Sequence, residues 1–474
     1  MEIQSLLLLL GIGFGFYMAW SIGANDVANA MGTSVGSRAL TIKQAVMIAA
    51  VLEFLGAFLV GTHVSETIRS GIISPTIFHN HEFDLVYGML GSLLAAGIWL
   101  QFASYFGWPV STTHSIVGAV LGFGVLYGGF DAADWRQVGS IVASWVISPL
   151  MSGTISYLLF STLRRMVYDS DEPILAAKKI TPYLVFFVFF VLTLTMVFKG
   201  LKNLSLDLSF GQALIIALIA GAVASLVSRV LVNRIEPVRS PDRKLIRQPA
   251  PVGKAIARAL NHLAKAITDS RDPVTTRLMK IKGDLETSAR DVERGSEVER
   301  SQPEYRTVQR IFVYLQILSA SFVAFAHGAN DVANAIGPLA AVISILDTGQ
   351  IAMKAPVPLW VLGLGGIGIV VGLSTWGWRV MMTIGEKITE LTPTRGFSAE
   401  FATAVTIVLA TKLGLPISTT HTLVGGVLGV GLARGIGALN LRVVTNIVIS
   451  WIITIPVGAG GAILFYAILK GIFG

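Results

Sequence analysis

Long apolar segments recur along the chain and are separated by short polar stretches. A helix needs about 20 mostly apolar residues to cross a bilayer, and segments of that kind occur in both halves of the sequence. The pattern predicts an all-α polytopic membrane protein with about twelve transmembrane or re-entrant helices. The segments are 3–21, 42–61, 85–105, 110–130, 138–161, 183–198, 210–232, 309–326, 358–382, 397–413, 417–435 and 443–471. Segments 110–130 and 417–435 open with polar Ser-Thr-Thr-His and are rich in glycine, which favours re-entrant helices.

The two halves of the chain repeat the same motifs in the same order. GANDVANA occupies both 23–30 and 328–335, and Trp-Pro-Val-Ser-Thr-Thr-His at 108–114 returns as Leu-Pro-Ile-Ser-Thr-Thr-His at 415–421. The offsets are 305 and 307 residues, so we interpret the chain as two diverged copies of one unit.

The number of apolar segments predicts how the copies are oriented. Each copy holds five segments and two more lie between them, so the second copy enters the membrane from the opposite side. If two segments of a copy form a re-entrant pair, the copy loses two crossings and its number of crossings remains odd, so the opposite orientation still follows. We therefore predict two inverted repeats, with residues 1–161 as the first, 162–232 as two linking transmembrane helices, 233–308 as a charged loop and 309–474 as the second.

Composition supports a membrane protein and locates its charge. Only 14% of the residues are charged, although the net charge is +8. The loop 233–308 holds 16 Lys/Arg and 11 Asp/Glu, which predicts a cytoplasmic loop facing anionic lipid rather than a nucleic-acid-binding surface. The expected location is a plasma or bacterial inner membrane, with both termini outside. The chain contains no cysteine, which excludes disulfides and thiol chemistry.

The GANDVANA motif combines a carboxylate with carboxamides inside an apolar segment. On a helix, Asn25, Asp26 and Asn29 lie close to one face. A carboxylate at membrane depth is costly unless it is paired or coordinates an ion, and oxygen ligands suit a hard cation such as Na+. The small residues also predict a break in the helix that frees backbone carbonyls. Helix capping is the alternative explanation, which the identical second copy disfavours.

The Ser-Thr-Thr-His motif follows a proline and predicts a helix start. Unpaired N–H groups and the helix dipole make such a start an anion site, and the hydroxyls add donors. Two starts from inverted copies would surround a small oxyanion without any arginine. Capping of their own helices is the alternative role for these serines and threonines, and His114 and His421 are expected to orient or pack rather than to bind directly.

The two motifs together predict cotransport. Asp26 and Asp331 would repel an anion unless cations neutralise them. Other polar residues inside apolar segments are Glu53, Gln101 and Glu400, and Leu93 aligns with Glu400 in the first copy. Buried carboxylates in spans are functional candidates, so we expect a site that is only pseudo-symmetric.

At these motifs the sequence resembles the PiT family of inorganic phosphate transporters. The resemblance covers both halves and implies cation-coupled phosphate uptake, an inverted-repeat fold and a homodimer, with no cofactor. It implies phosphate contacts at Ser111, Thr112, Thr113, Ser418, Thr419 and Thr420, and phosphate or cation contacts at Asn25, Asp26, Asn330 and Asp331. It implies cation binding at Asn29, Asn334, Glu53, Gln101 and Glu400.

Neither the coupling ion nor the anion follows from the resemblance alone. Carboxamide-rich oxygen sites favour Na+, with proton-coupled phosphate or metal–phosphate symport as the alternative. A carboxylate can accept a hydrogen bond from protonated phosphate. Sulfate is fully ionised at neutral pH and cannot donate such a bond, which disfavours the alternative of a sulfate permease. A membrane phosphatase is more remote, because neither a catalytic triad nor a P-loop is evident, and we expect no enzymatic activity.

Overall fold

The computed structural model describes residues 3–61, 72–199, 208–235, 250–301, 303–351, 357–412 and 417–474. These residues are almost entirely helical, and among them the only β-structure is an isolated bridge between Ile73 and Ala133. The helices are α1 (Ile3–Gly36), α2 (Ile42–Val60), α3 (Glu82–Tyr105), α4 (Thr112–Gly128), α5 (Trp135–Leu163), α6 (Pro173–Lys199), α7 (Phe210–Asn233), α8 (Ala250–Asp269), α9 (Val274–Ser301), α10 (Pro303–Asp331), α11 (Ala333–Thr348), α12 (Leu359–Thr375), α13 (Trp378–Met382), α14 (Pro393–Lys412), α15 (Thr419–Ala433) and α16 (Leu441–Phe473). The all-α fold is as predicted.

Fewer helices than the predicted twelve are long enough to span a bilayer. Within the described residues, 8 helices or continuous helix pairs qualify by length and composition, or up to 9 if the pair bent by 60° at Thr375 counts as one span. The predicted segments 110–130 and 417–435 form the shorter helices α4 and α15, of 17 and 15 residues. The number of about twelve spans is therefore not confirmed.

Both short helices are return arms of hairpins. Asp84 in the first turn of α3 accepts a hydrogen bond from Tyr127 in the last turn of α4, at 3.3 Å. In the second half, Glu390 precedes α14 and pairs at 3.0 Å with Arg434, which follows α15. Each hairpin therefore begins and ends at the same side of the molecule, as a re-entrant element does.

The two hairpins enter from opposite sides. Helix α16 has 33 residues and is therefore about 50 Å long. Just before its start, the Asn440 amide donates to the Ile388 carbonyl at 2.9 Å, beside the base of the second hairpin. Near its end, Lys470 pairs with Asp84 at 2.9 Å, at the base of the first hairpin. The copies are inverted, as the parity of apolar segments predicts.

The long helices of the two copies pack through equivalent glycines. A Cβ atom on Gly23 of α1 would overlap the Ile369 carbonyl of α12, and one on Gly328 of α10 would overlap the Glu53 carbonyl of α2. Glycine permits this close backbone approach between membrane helices. At the crossing of α10 and α2, Glu53 therefore has the position that Ile369 has at the crossing of α1 and α12.

Gly372→Ala is expected to destabilise the fold, because its Cβ would overlap the Trp20 carbonyl at the α1–α12 crossing. Overpacking of this kind costs about 1–3 kcal/mol, so thermal unfolding in detergent should occur at a clearly lower temperature. Gly13→Ala is the matched control, since nothing lies within 4 Å of its added Cβ. Equal unfolding temperatures for the two variants would contradict the close approach.

The predicted break of the GANDVANA helix does not produce a bent span in either copy. Helix α1 continues through 23–30 without interruption, so the prediction is wrong there. In the second copy α10 ends at Asp331 and α11 begins at Ala333, but Val332 between them keeps helical φ and ψ of −55° and −30°, and Pro303–Thr348 runs on as one span of 46 residues. The second copy has Pro338 inside α11, where the first copy has Thr33. A proline removes one hydrogen bond from the helix ladder, which makes this copy the less regular one.

The segment between the repeats also contains helices. The sequence predicts helical periodicity over 252–267, and the structure has α8 there, followed by α9. These two helices pack on each other. The predicted domain boundaries and the cytoplasmic location of this segment remain predictions.

Candidate functional site

The two helix starts and the two GANDVANA motifs meet in a buried cage. The Asn29 carboxamide donates to Thr420 Oγ1 at 2.8 Å and to Thr419 Oγ1 at 3.3 Å. Asn334 makes the equivalent bonds to Thr112 Oγ1 at 3.3 Å and Thr113 Oγ1 at 3.4 Å. Each asparagine therefore contacts the threonine pair of the other repeat. All six side chains belong to residues that are at most 2% exposed.

The two helix starts are also bonded to each other. Thr113 donates to the Ile417 carbonyl at 3.0 Å, and Thr420 donates to the Val110 carbonyl at 3.1 Å. Each bond joins a threonine of one repeat to the backbone just before the helix of the other. The helix starts therefore face each other across the pseudo-twofold axis, as the sequence predicts.

The serines of the two motifs cap their own helices. Ser111 Oγ accepts from the His114 amide and Ser418 Oγ accepts from the His421 amide, both at 3.1 Å. Capping, the alternative given by the sequence, thus occurs in both repeats. Each serine accepts in this bond, so its own O–H group remains able to donate to an oxyanion.

The two aspartates meet at a histidine that the sequence analysis did not select. His327 Nε2 lies 2.9 Å from Asp331 Oδ2 and 3.6 Å from Asp26 Oδ2. Its Nδ1 lies 3.4 Å from Glu53 Oε2. All four side chains are fully buried. The structure therefore brings the predicted cation residue Glu53 to the predicted aspartates, with His327 between them.

The carboxylates also contact the cage. Thr419 Oγ1 donates to Asp331 Oδ2 at 2.7 Å, and Thr420 Oγ1 lies 3.3 Å from Asp26 Oδ1. Asn29 donates to Asp26 at 3.0 Å and Asn334 to Asp331 at 3.4 Å. Donors for an oxyanion and acceptors for cations therefore lie side by side.

Asn25 and Gln101 have other contacts. Asn25 Nδ2 donates to Ser104 Oγ and to the Trp108 carbonyl, both at 3.0 Å, and its Oδ1 accepts from the Val110 amide at 3.3 Å. It thus fixes the tip of the first hairpin. Gln101 is half-buried and accepts a hydrogen bond from Tyr17. Asn330 is buried in the equivalent place to Asn25.

Glu400 lies in a second buried polar cluster. Its Oε1 accepts hydrogen bonds from Thr33 at 2.5 Å, Ser34 at 2.7 Å and Gln316 at 3.1 Å. Its Oε2 accepts from Ser319 at 2.5 Å. These side chains are all buried. They surround the carboxylate with three hydroxyl groups and the Gln316 amide group, and the carboxylate and hydroxyl oxygens are ligands that suit a hard cation.

The equivalent place in the other half lacks these polar groups. With the offsets of 305 and 307, Ser319 corresponds to Phe14, Gln316 to Gly11 and Glu400 to Leu93. Likewise, His327 corresponds to Ile22. The site is therefore pseudo-symmetric, as predicted, and the departures from symmetry are the polar residues. A comparison of the residues next to each motif would have revealed His327, because it immediately precedes the second GANDVANA.

Inverted repeats that meet at a buried polar site, with helix starts facing each other, define the protein as a secondary transporter of the inverted-repeat class. The model of the phosphate transporter family matches residues 22–462, and the chain belongs to this family.

Similar proteins agree with this assignment along the whole chain. The chain is 47% identical to the chloroplastic inorganic phosphate transporter 2-1 of Arabidopsis thaliana, over 95% of this chain and 70% of the relative. It is 44% identical to a putative phosphate permease of Chlamydia pneumoniae, over 97% of both chains. A solved structure entitled "The sodium-dependent phosphate transporter" superposes with a TM-score of 0.79 at 37% identity, covering 98% of this chain and 99% of that chain.

Proposed function

We propose that this protein imports inorganic phosphate by symport with Na+, binding both at the cage between the repeats. The observation that carries the proposal is the crossed contact of each GANDVANA asparagine with the threonine pair of the other repeat. An oxyanion held there would contact both repeats at once, so its binding depends on their relative position.

Phosphate is assigned to the hydroxyls and helix starts. Its oxygens would accept hydrogen bonds from the hydroxyls of Ser111, Thr112, Thr113, Ser418, Thr419 and Thr420, and from backbone N–H groups at the starts of α4 and α15. Ser111 and Ser418 hold those helix starts through their capping bonds, and Asn25 supports the tip of the first hairpin. Asn330 is proposed to have the equivalent role in the second hairpin.

Cations are assigned to the carboxylates and carboxamides. Asp26, Asp331 and Glu53 would carry three negative charges against one imidazole, which leaves at least two uncompensated charges when His327 is protonated. An anion entering beside them needs cations, and Asn29 and Asn334 supply neutral oxygen ligands. Glu400 is proposed to hold a further cation, and Gln101 a peripheral one.

Na+ is preferred as the coupling ion because the ligands are oxygen atoms and because the similar solved structure is titled sodium-dependent. His327 gives a specific reason to keep proton coupling as the second candidate, since an imidazole among carboxylates can take up a proton. The proposal also includes a homodimer in a plasma or bacterial inner membrane, both termini outside, no cofactor and no enzymatic activity.

Uptake of radiolabelled phosphate into proteoliposomes should be driven by an inward Na+ gradient and should disappear when choline replaces Na+. The proposal expects this dependence at two pH values, with no uptake from a proton gradient alone. Empty liposomes provide the background. Uptake from a proton gradient in choline would instead establish proton coupling, and saturable sulfate uptake not inhibited by phosphate would contradict the assignment of the anion.

A further inference from the structure

Four aromatic rings form a continuous column behind the cage. The rings of Trp145 and His114 have centroids 3.6 Å apart, those of His114 and His421 are 4.3 Å apart, and those of His421 and Trp451 are 3.6 Å apart. Both histidines are only 4% exposed. The column crosses the pseudo-twofold axis, so its two halves are equivalent.

The column interleaves two pairs of packed helices. Helix α4 packs on α16, where the Cβ position of Gly118 lies 2.8 Å from the Ile455 carbonyl. Helix α15 packs equally closely on α5, where a Cβ on Gly425 would overlap the backbone of Pro149. Yet His114 of α4 packs at a tilt of 35° against Trp145 of α5, and His421 of α15 stacks on Trp451 of α16. The pair α4–α16 therefore contributes the inner ring His114 and the outer ring Trp451, and the pair α15–α5 contributes the inner ring His421 and the outer ring Trp145. Rings from the two pairs alternate along the column.

The column continues directly into the helix starts. His114 follows Thr112 and Thr113, and His421 follows Thr419 and Thr420. The outer ring Trp451 donates through Nε1 to the Pro109 carbonyl at 3.1 Å, in the segment that leads into α4. On the other side, His421 Nδ1 lies 3.3 Å from the Trp145 carbonyl. Trp451 is thus bonded to the backbone that leads to Thr112 and Thr113, and His421, next to Thr420, is held against the backbone of Trp145.

We propose that Trp145, His114, His421 and Trp451 are positioning residues that set the distance between the two threonine pairs, and so the size of oxyanion that the cage accepts. The inference rests on the proposed phosphate role of those threonines. None of the four rings contacts the anion in this proposal. Shortening or removing a ring would let the helix starts shift relative to each other, because stacking between the two helix pairs would be lost.

The test compares Trp451→Leu with Trp451→Phe, which restores an aromatic ring. Trp451→Leu is expected to raise the KM for phosphate by ~10-fold with little change in maximal uptake, and to strengthen inhibition by the larger oxyanion arsenate relative to phosphate. Trp451→Phe should return both quantities toward the wild-type values. Where Trp451→Leu yields no folded protein, His421→Leu and His421→Phe provide the same comparison one ring further in.

Trp99→Leu is the matched control, because Trp99 is buried and, like Trp451, donates a hydrogen bond through its indole N–H, here to Thr454 at 3.0 Å, but lies outside the column. It should lower the amount of folded protein without changing the KM or the preference between phosphate and arsenate. Unchanged KM in the column variants, or an equal change in Trp99→Leu, would overturn the inference. Failure of the wild-type protein to take up phosphate in the same vesicles would instead reject the proposed function.

Discussion

The double substitution Asp26→Asn and Asp331→Asn is expected to abolish cation-driven phosphate uptake. Asparagine has the shape of aspartate but carries no charge, and its amide group is a donor where the site needs acceptors. Thr419 and His327 both approach Asp331 Oδ2, at 2.7 and 2.9 Å. Removing one partner of a buried, hydrogen-bonded charge pair in a binding site costs about 2–5 kcal/mol of binding free energy, so the two substitutions together should lower uptake by more than ~100-fold.

Asp84→Asn is the matched control for these aspartates. Asp84 is also buried and also has several partners, with Lys470 at 2.9 Å and Tyr466 at 3.0 Å, but it lies at the base of the first hairpin. This variant should lower thermal stability while uptake per folded molecule keeps its dependence on Na+. Wild-type-like, gradient-driven uptake by the double variant would remove the aspartates from the mechanism.

The single variants should separate the two aspartates. Asp331 is the nearer partner of His327, whereas Asp26 lies 3.6 Å from the same ring nitrogen. We therefore expect Asp331→Asn to lose more uptake than Asp26→Asn, although the two motifs are identical in sequence. Initial rates at saturating and subsaturating Na+ would show this difference.

The duplicated motifs predict the inverted architecture and the meeting of Asp26 with Asp331. Parity needs only the count of apolar segments, and the identical octapeptides indicate which residues pair across the axis. The threonine–asparagine contacts follow from the same symmetry. Helix capping by Ser111 and Ser418 could be predicted only as an alternative, because a serine at a helix start can bond either its own backbone or a ligand.

Features without a counterpart in the other repeat are the ones that sequence symmetry cannot predict. His327 stands where the first copy has Ile22, and its partners come from α1, α2 and its own helix. The one-residue irregularity at Val332 likewise has no counterpart in α1, although the motif is the same. The two identical GANDVANA segments differ in local structure because the residues that surround them differ.

Glu400→Gln is expected to lower maximal uptake by ~10- to 100-fold, because the four side chains that bond to this carboxylate are all neutral and only Glu400 supplies a charge among them. Four side chains donate to it, three at Oε1 and Ser319 at Oε2. A glutamine with its amide group toward Ser319 would keep the shape of the cluster, since that hydroxyl can accept and can donate to the Gln316 carbonyl at 3.0 Å. The charge that would hold a cation is lost at the same time.

Glu400→Gln should change the Na+ dependence of uptake rather than the binding of phosphate. Glu400 bonds to Thr33, Ser34, Gln316 and Ser319, and none of these is a threonine or asparagine of the cage. We expect a higher half-saturating Na+ concentration and a less steep Na+ curve, with the KM for phosphate changed by less than ~3-fold at saturating Na+.

Two serines allow a graded version of this test. Ser319→Ala removes one donor to Glu400 and should shift the Na+ curve in the same direction by a smaller amount. Ser398→Ala is its control, because Ser398 is equally buried on the same helix as Glu400 but donates to its own backbone, to the Thr394 carbonyl at 2.9 Å. If Glu400→Gln raises the phosphate KM and leaves the Na+ curve unchanged, the cluster supports the cage mechanically and binds no coupling cation. A shifted Na+ curve in Glu400→Gln and Ser319→Ala, but not in Ser398→Ala, would place a cation in the half of the molecule that carries the extra polar residues.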